Sequence, residues 1–246
     1  MAEILSDFSS SSVDIFPTDV FTVSYPRSGL TWFRSLLYGI MEPKWLHKPT
    51  HINRHIPDIR RTTVSQRDRM NDPRFFKTHE FCNPRYRNVV YMIRDVRAVA
   101  LSSWNWRTKM IRYSKWKYEG DFDIAFIRQF IKGRIFPGCW KQHVNGWTTN
   151  KLQFRKRLIM TYEELFNNTE DTLKTVCDFI GIKTNKKKIT NTIKVFPPGA
   201  PTYFLVWSTK PTNANPDGWI NFYTNKMLNE MNKEYGEILE RFGYEI

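Results

Sequence analysis

Three times along the chain, a short run of consecutive apolar residues gives way to a stretch in which apolar positions recur every three or four residues. The first run, Val20 to Tyr25 (VFTVSY), is β-branched and aromatic and stops at Pro26; past Arg27, Ser28 and Gly29, the residues Trp32, Leu36, Leu37 and Ile40 share one stripe. The second, Asn88 to Ile93 (NVVYMI), precedes Val96, Val99, Ala100 and Ser103 on a helical stretch from Asp95 to Trp106. The third, Leu158-Ile159-Met160, leads to a helix over Asp171 to Ile180 that Gly181 should close. Unbroken apolar runs suit strands buried on both faces, and a 3.6-residue recurrence suits helices. The alternation therefore predicts an α/β fold: a central parallel sheet flanked by helices. A last helix, Thr224 to Phe242, carries Met227, Leu228, Met231, Tyr235, Ile238, Leu239 and Phe242 on one packing face. No repeat or composition shift divides the chain, so one domain over residues 1–246 is expected, with residues 1–17, which include the Ser9 to Ser12 run, as a mobile N-terminus.

The pattern lapses between Thr108 and Phe136 and again between Pro197 and Asp217. In an α/β sheet, ligands bind beyond the carboxyl ends of the strands, so long irregular stretches are candidate lids or acceptor walls. His47, His51 and His55 are spaced four apart, as metal ligands on a helix would be. Pro49 and Pro57 oppose a continuous helix there, so no metal site is expected, and His47 to Ile59 is assigned to an acceptor-side loop.

Charge and composition narrow the picture. With 38 Lys and Arg against 24 Asp and Glu, the net charge is +14, which calls for an anionic partner without choosing between nucleic acid, a membrane surface and a phosphate-bearing small molecule. An aromatic content of 15% excludes a disordered chain. Three cysteines cannot build a disulfide framework, no run of about 20 apolar residues is present, and the start lacks the form of a secretion signal. A soluble, cytoplasmic protein is the expectation.

The loop after the first run carries the clearest chemistry. A strand feeding a short loop with a glycine, a cation and hydroxyl groups at a helix N-terminus presents backbone N–H groups and the positive end of the helix dipole to an anion. Tyr25-Pro26-Arg27-Ser28-Gly29-Leu30-Thr31-Trp32 has that form, and an ordinary turn with a surface arginine is the plain alternative. It lacks the GxxxxGK[ST] spacing, which disfavours a nucleotide kinase.

This segment resembles the 5′-phosphosulfate loop of the cytosolic sulfotransferases, Tyr-Pro-Lys-Ser-Gly-Thr-Thr-Trp. Four further segments resemble that family in the same order. They are Phe76-Lys77-Thr78-His79, Tyr91-Met92-Ile93-Arg94-Asp95 through Ser102, Gly138-Cys139-Trp140-Lys141-Gln142-His143-Val144-Asn145-Gly146-Trp147, and Tyr162-Glu163-Glu164-Leu165. The likeness runs from about residue 20 to 245. It implies transfer of a sulfonyl group from 3′-phosphoadenosine 5′-phosphosulfate (PAPS) to a hydroxyl or amine, releasing adenosine 3′,5′-bisphosphate (PAP), with no metal. His79 matches the base, an imidazole able to accept a proton near neutrality. Arg27 and Lys77 match the cations at the sulfonyl group and the leaving phosphate. Arg27, Ser28, Gly29, Leu30, Thr31 and Trp32 match the donor loop, Arg94 and Ser102 the ligands of the 3′-phosphate, and Trp32 and Tyr162 the aromatics beside adenine, with Phe196 a possible third wall. Arg94 has a surface pairing with Asp95 or Glu163 as its plain alternative.

Three departures stand out. Arg27 occupies a position that is usually Lys, and a planar fork is not a point charge. The family's Arg-Lys-Gly clamp corresponds here to Thr212-Asn213-Ala214, leaving Lys210 as the nearby cation to replace it. The family's dimer motif is reduced to Ile220, Thr224, Asn225 and Asn229, which suggests a monomer or an atypical dimer. Trp45, Phe76, Phe81, Trp104, Trp106, Trp116, Phe136 and Trp207 are expected near the acceptor, favouring a small aromatic or lipophilic molecule. The alternative is a basic nucleotide or single-stranded nucleic-acid binding protein without catalysis, motivated by the cations and rings interleaved from Arg107 to Tyr118.

Overall fold

The computed structural model describes residues 14–46, 51–108, 119–149, 154–198 and 215–246. The Ser9 to Ser12 run, His47, Trp116, Trp207 and Lys210 therefore lie outside the described residues.

The predicted runs become β1 (Val20–Ser24), β3 (Asn88–Ile93) and β4 (Lys156–Thr161), and β2 (Phe75–Thr78) joins them in one parallel sheet of order β2-β1-β3-β4. The register sets Thr22 beside Lys77 and Val23 beside Thr78 and Tyr91. All of β1 and β3 is buried, the signature of strands covered on both faces.

The covering helices, in chain order, are α1 (Leu30–Met41), α2 (Ile52–His55), α3 (Val64–Asp68), α4 (Val96–Thr108), α5 (Ile124–Ile131), α6 (Trp140–Thr148), α7 (Tyr162–Asn167), α8 (Thr169–Ile180), α9 (Lys186–Val195) and α10 (Asn225–Arg241). The expected helices end where their caps lie: Gly181 is left-handed after α8, and the Thr224 side chain accepts from the Met227 N–H at the start of α10. The structure adds α5, α6 and α9, which the sequence pattern did not announce, and it turns the Tyr162 segment into a helix.

Two cores result, one on each face. Phe21, Val23, Val89 and Tyr91 point to the side covered by α4, α5, α6 and α10. Val20, Val90 and Met92 point to the side of α1, α7, α8 and α9, where Phe33, Leu36 and Leu37 are fully buried. Each such side chain is worth about 1.5–3 kcal/mol of burial. Because all four strands are parallel, their carboxyl ends open on one edge. The loop Tyr25–Gly29 follows β1 there, His79 follows β2, Arg94 follows β3 and Tyr162 follows β4.

Candidate functional site

At that edge the β1–α1 loop is held in an unusual conformation. Arg27 has φ 72° and Gly29 has φ 94°, so the left-handed region, which disfavours a side chain, is visited twice in three residues. At Gly29 the reason is steric: a Cβ would stand 2.4 Å from the Tyr162 ring. The loop thus lies flat against α7 and aims the first N–H groups of α1, which no helical carbonyl can satisfy, at the open edge. Between the two left-handed residues, Ser28 is 1% exposed and its hydroxyl has no partner.

Arg94 reaches the same loop from β3. Its guanidinium lies over the Tyr162 ring at 4.2 Å, Nη1 donates to the Arg27 carbonyl at 3.5 Å, and Nε is buried without a partner. The carboxylates that could have claimed it are engaged elsewhere. Asp95 takes Arg97 at 2.7 Å, while Glu163 accepts from the Tyr244 hydroxyl at 2.7 Å and from the Asp95 N–H. The surface pairing expected as an alternative for Arg94 is therefore not formed. Arg27 Nε donates to Ser102 Oγ at 3.1 Å. Burial and the neighbouring Arg94 charge bring the Arg27 guanidinium down to about 10. Arg27, Arg94, Ala98, Leu101, Ser102, Asn105, Asn215 and Trp219 line a cleft of about 30 Å³, the space of one small group. Two guanidinium cations, one with an unsatisfied Nε, and a hydroxyl, with no carboxylate on the wall, suit a phosphate or sulfate.

The aromatic residues assigned to the base are close by. Trp32 and Tyr162 meet edge to face at 5.8 Å, and Trp32 Nε1 donates to the Phe196 carbonyl at 3.0 Å. Phe196 therefore fixes Trp32 through its backbone, and its own side chain is buried in the helix-covered core.

The second half of the edge belongs to β2. His79 Nδ1 donates to the Ser24 carbonyl at 2.8 Å, which leaves Nε2 of the neutral ring as the proton acceptor. Burial, reinforced by the Lys77 charge, holds the imidazole well below its ordinary value, so it is neutral at pH 7. Lys77 is ion-paired, with Nζ 2.8 Å from Asp58. Burial alone would raise the Asp58 carboxyl, yet Lys77 and Arg60 outweigh it and keep it ionised. Asp58 went unrecognised in the sequence, since nothing in spacing links it to a lysine 19 positions away; the pairing follows from a bridge between the Asp58 segment and β2. Asn105, Asn215 and Trp219 were missed for the same reason.

Some expectations change. Phe76 is a core residue stacked with Phe21 at 5.7 Å, because successive side chains of a strand alternate and its neighbour Lys77 faces the other way. The His47–Ile59 stretch is not a plain loop: it holds α2, and His55 pairs with Glu42 at 3.3 Å. Among the described residues no cluster of metal-ligating side chains occurs, and no helix is long and apolar enough to cross a membrane. Arg107, which heads the interleaved basic and aromatic run, is buried. At the amino end of the sheet, away from these residues, a cavity of about 500 Å³ is bordered by Phe16, Arg85, Arg87 and Arg155.

Comparison with known proteins bears on this arrangement. A family model described as a sulfotransferase domain matches residues 17–197. Sulfotransferase 2A2 of Rattus norvegicus is 24% identical over 186 residues, 72% of this chain and 64% of that protein. The 3-beta-hydroxysteroid sulfotransferase of Cavia porcellus is 24% identical over 194 residues, 72% of this chain and 63% of its own length. The chain spans less than two thirds of these two relatives. Among solved structures, mouse sulfotransferase SULT7A1 complexed with PAP matches with a TM-score of 0.71 at 20% identity, covering 97% of this chain and 88% of that one. Retinol dehydratase in complex with androsterone and PAP matches with a TM-score of 0.74 at 17% identity, covering 98% and 87%.

Proposed function

Starting from a chain that belongs to the sulfotransferase family, we propose that it moves a sulfonyl group from PAPS to a hydroxyl or amine of a small aromatic or lipophilic acceptor and releases PAP. The observation that carries this reading is the convergence of Arg27, Arg94 and Ser102 on one cleft beside the orphaned Ser28 hydroxyl. Steroid alcohols are the first acceptors to try, since a hydroxysteroid sulfotransferase is among the relatives.

When bound, PAPS supplies an activated sulfonyl group on a phosphate leaving group. Ser28 Oγ, the N–H groups that open α1 and the Arg27 guanidinium hold the 5′-phosphosulfate. Arg94 and Ser102 hold the 3′-phosphate, and Lys210 stands in for the clamp. Trp32 and Tyr162 flank the adenine. His79 Nε2 takes the proton of the acceptor, and Ser24 keeps the ring in the tautomer that can do so. Arg27 and Lys77 steady the charge that gathers on the leaving oxygens, a role that needs position more than bond-making. The burial that lowers His79 is also useful: a base that stays neutral well below pH 7 is available over the whole physiological range.

Calorimetric titration of PAP beside ADP tests the donor half. PAP should bind at least about tenfold more tightly than ADP, and Arg94→Ala should abolish the difference. His79→Ala should bind PAP normally and lose turnover. Equal affinity for PAP and ADP in the unaltered protein would overturn the reading.

A further inference from the structure

The amino end of the sheet, opposite the donor cleft, carries a second concentration of positive charge. The register pairs Val20 with Asn88 and Asn88 with Lys156, so the segments that enter β1, β3 and β4 arrive side by side. All three segments line one cavity of about 500 Å³: Ile15, Phe16 and Pro17 before β1, Arg85 and Arg87 before β3, and Arg155 before β4. Arg87 and Arg155 are fastened together through the backbone, since the Arg87 carbonyl accepts from the N–H groups of Arg155 and Lys156 at 2.9 and 3.1 Å.

The apolar part of the wall is held as firmly. The Asn88 amide donates to the Pro17 and Asp19 carbonyls at 2.9 Å, the Phe16 N–H donates to the Asp19 carboxylate at 2.8 Å, and the Arg74 guanidinium lies over the Phe16 ring at 3.7 Å. These contacts fix Phe16 and still leave it 47% exposed. None of the six lining residues is acidic. Asp14, Asp19 and Asp72, from the flanking segments, are drawn to Arg74, with Asp19 at 2.7 Å. Arg155 is exposed, and its side chain makes no hydrogen bond or ion pair among the described residues. Like charges set around one space repel each other, and an anion between them relieves the repulsion.

We propose that this cavity binds an organic anion with an apolar body, its sulfate, phosphate or carboxylate group held by Arg85, Arg87 and Arg155 and its ring or chain laid against Ile15, Phe16 and Pro17. A bare oxyanion would leave most of the space unfilled, whereas small-molecule sites commonly run from about 300 to 1,000 Å³. A nucleic-acid strand needs cations strung along a surface with rings between them, and here the cations close on a single space with an apolar wall. The five residues of β1, about 17 Å of strand, separate this cavity from the donor cleft, so the two sites can fill independently. The anion comes either from the transfer itself, as a sulfated lipophilic product, or from elsewhere, as an apolar carboxylate. The first source rests on the sulfonyl-transfer reading; the second does not.

Calorimetric titration of the full chain with 1-naphthyl sulfate, 1-naphthoate, 1-naphthol and sodium sulfate tests this, for the unaltered protein, Arg155→Ala, Arg155→Glu and Phe16→Ala. The unaltered protein should bind 1-naphthyl sulfate at least about tenfold more tightly than 1-naphthol or sodium sulfate. Arg155→Ala should weaken that binding about tenfold, Arg155→Glu should weaken it further, and Phe16→Ala should weaken it about threefold or more. Urea unfolding shows that each variant is folded without reference to PAP. A preference of about tenfold for 1-naphthyl sulfate over 1-naphthoate assigns the site to a sulfated product, and equal affinity assigns it to apolar anions in general. If 1-naphthyl sulfate binds the folded Arg155 variants as it binds the unaltered protein, or if sodium sulfate alone binds as tightly, the proposal is wrong. Arg155-dependent binding of a single-stranded oligonucleotide without binding of 1-naphthyl sulfate would overturn it in favour of a polyanion. Failure of PAP to bind would refute the donor reading and leave these comparisons intact.

Discussion

Gly29 is the position where one added methyl group disturbs most. Its Cβ would meet the Tyr162 ring at 2.4 Å, and its φ of 94° strains any side chain. Gly29→Ala should lower stability by about 1–3 kcal/mol and push Tyr162 away from Arg94, so that PAP affinity falls further than stability does; calorimetry beside urea unfolding separates the two. Asp58→Asn is the converse case, since it leaves Lys77 partly buried without its carboxylate. A loss of about 2–3 kcal/mol in denaturant unfolding is expected, less than for a fully enclosed pair because Lys77 retains 18% exposure. Arg27, Ser28, Arg94 and Ser102 could be proposed from the sequence because they fall in short contiguous segments that resemble the family's. Asp58 could not, because its partner is chosen by a bridge between segments that are distant in the chain.

At the level of elements, α7 shows how a short helix places a site residue. Thr161 accepts from the Glu164 N–H, and Glu164 accepts from the Thr161 N–H, a complete capping box at the end of β4. Six residues make a helix that cannot persist alone, so the box and the burial of Tyr162 and Leu165 fix it together. Thr161→Ala should cost about 1 kcal/mol and weaken PAP binding by loosening Tyr162; Tm and PAP affinity should fall together. The strands were legible because burial on both faces forces unbroken apolar runs. Among the helices, α5 has only eight residues, α6 mixes Trp140 and Trp147 with polar positions, and α9 opens on three lysines and fully buries little beyond Ile189 and Thr192. Each is short or weakly patterned, so packing against the sheet or another helix decides it.

Over the whole molecule, the buried His143 and the partly buried His79 set the acid limit of stability. His143 is fully buried against Tyr25, Phe81 and Tyr91, and burial lowers it to about 3, while His79 is lowered in the same direction. A depressed imidazole binds a proton in the unfolded chain before it does so in the folded one. Stability is therefore undiminished above about pH 6.5 and falls as pH drops towards the folded values. Between pH 7 and pH 5 the loss through His143 alone should be about 2 kcal/mol, measured by urea unfolding, and His143→Phe should flatten that slope. Residue types and local spacing by themselves determined the α/β class and the parallel sheet, because burial of strands on both faces writes short-range signals, and they marked the loop after the first strand as a candidate anion site, while its arginine and serine partners came from the resemblance to the sulfotransferases. Tertiary structure alone decided that Lys77 is held by Asp58, that Ser24 sets the His79 tautomer and that the Nε and Nη1 groups of Arg107 are buried without a hydrogen-bond partner, since desolvation and hydrogen bonding depend on what the fold brings near.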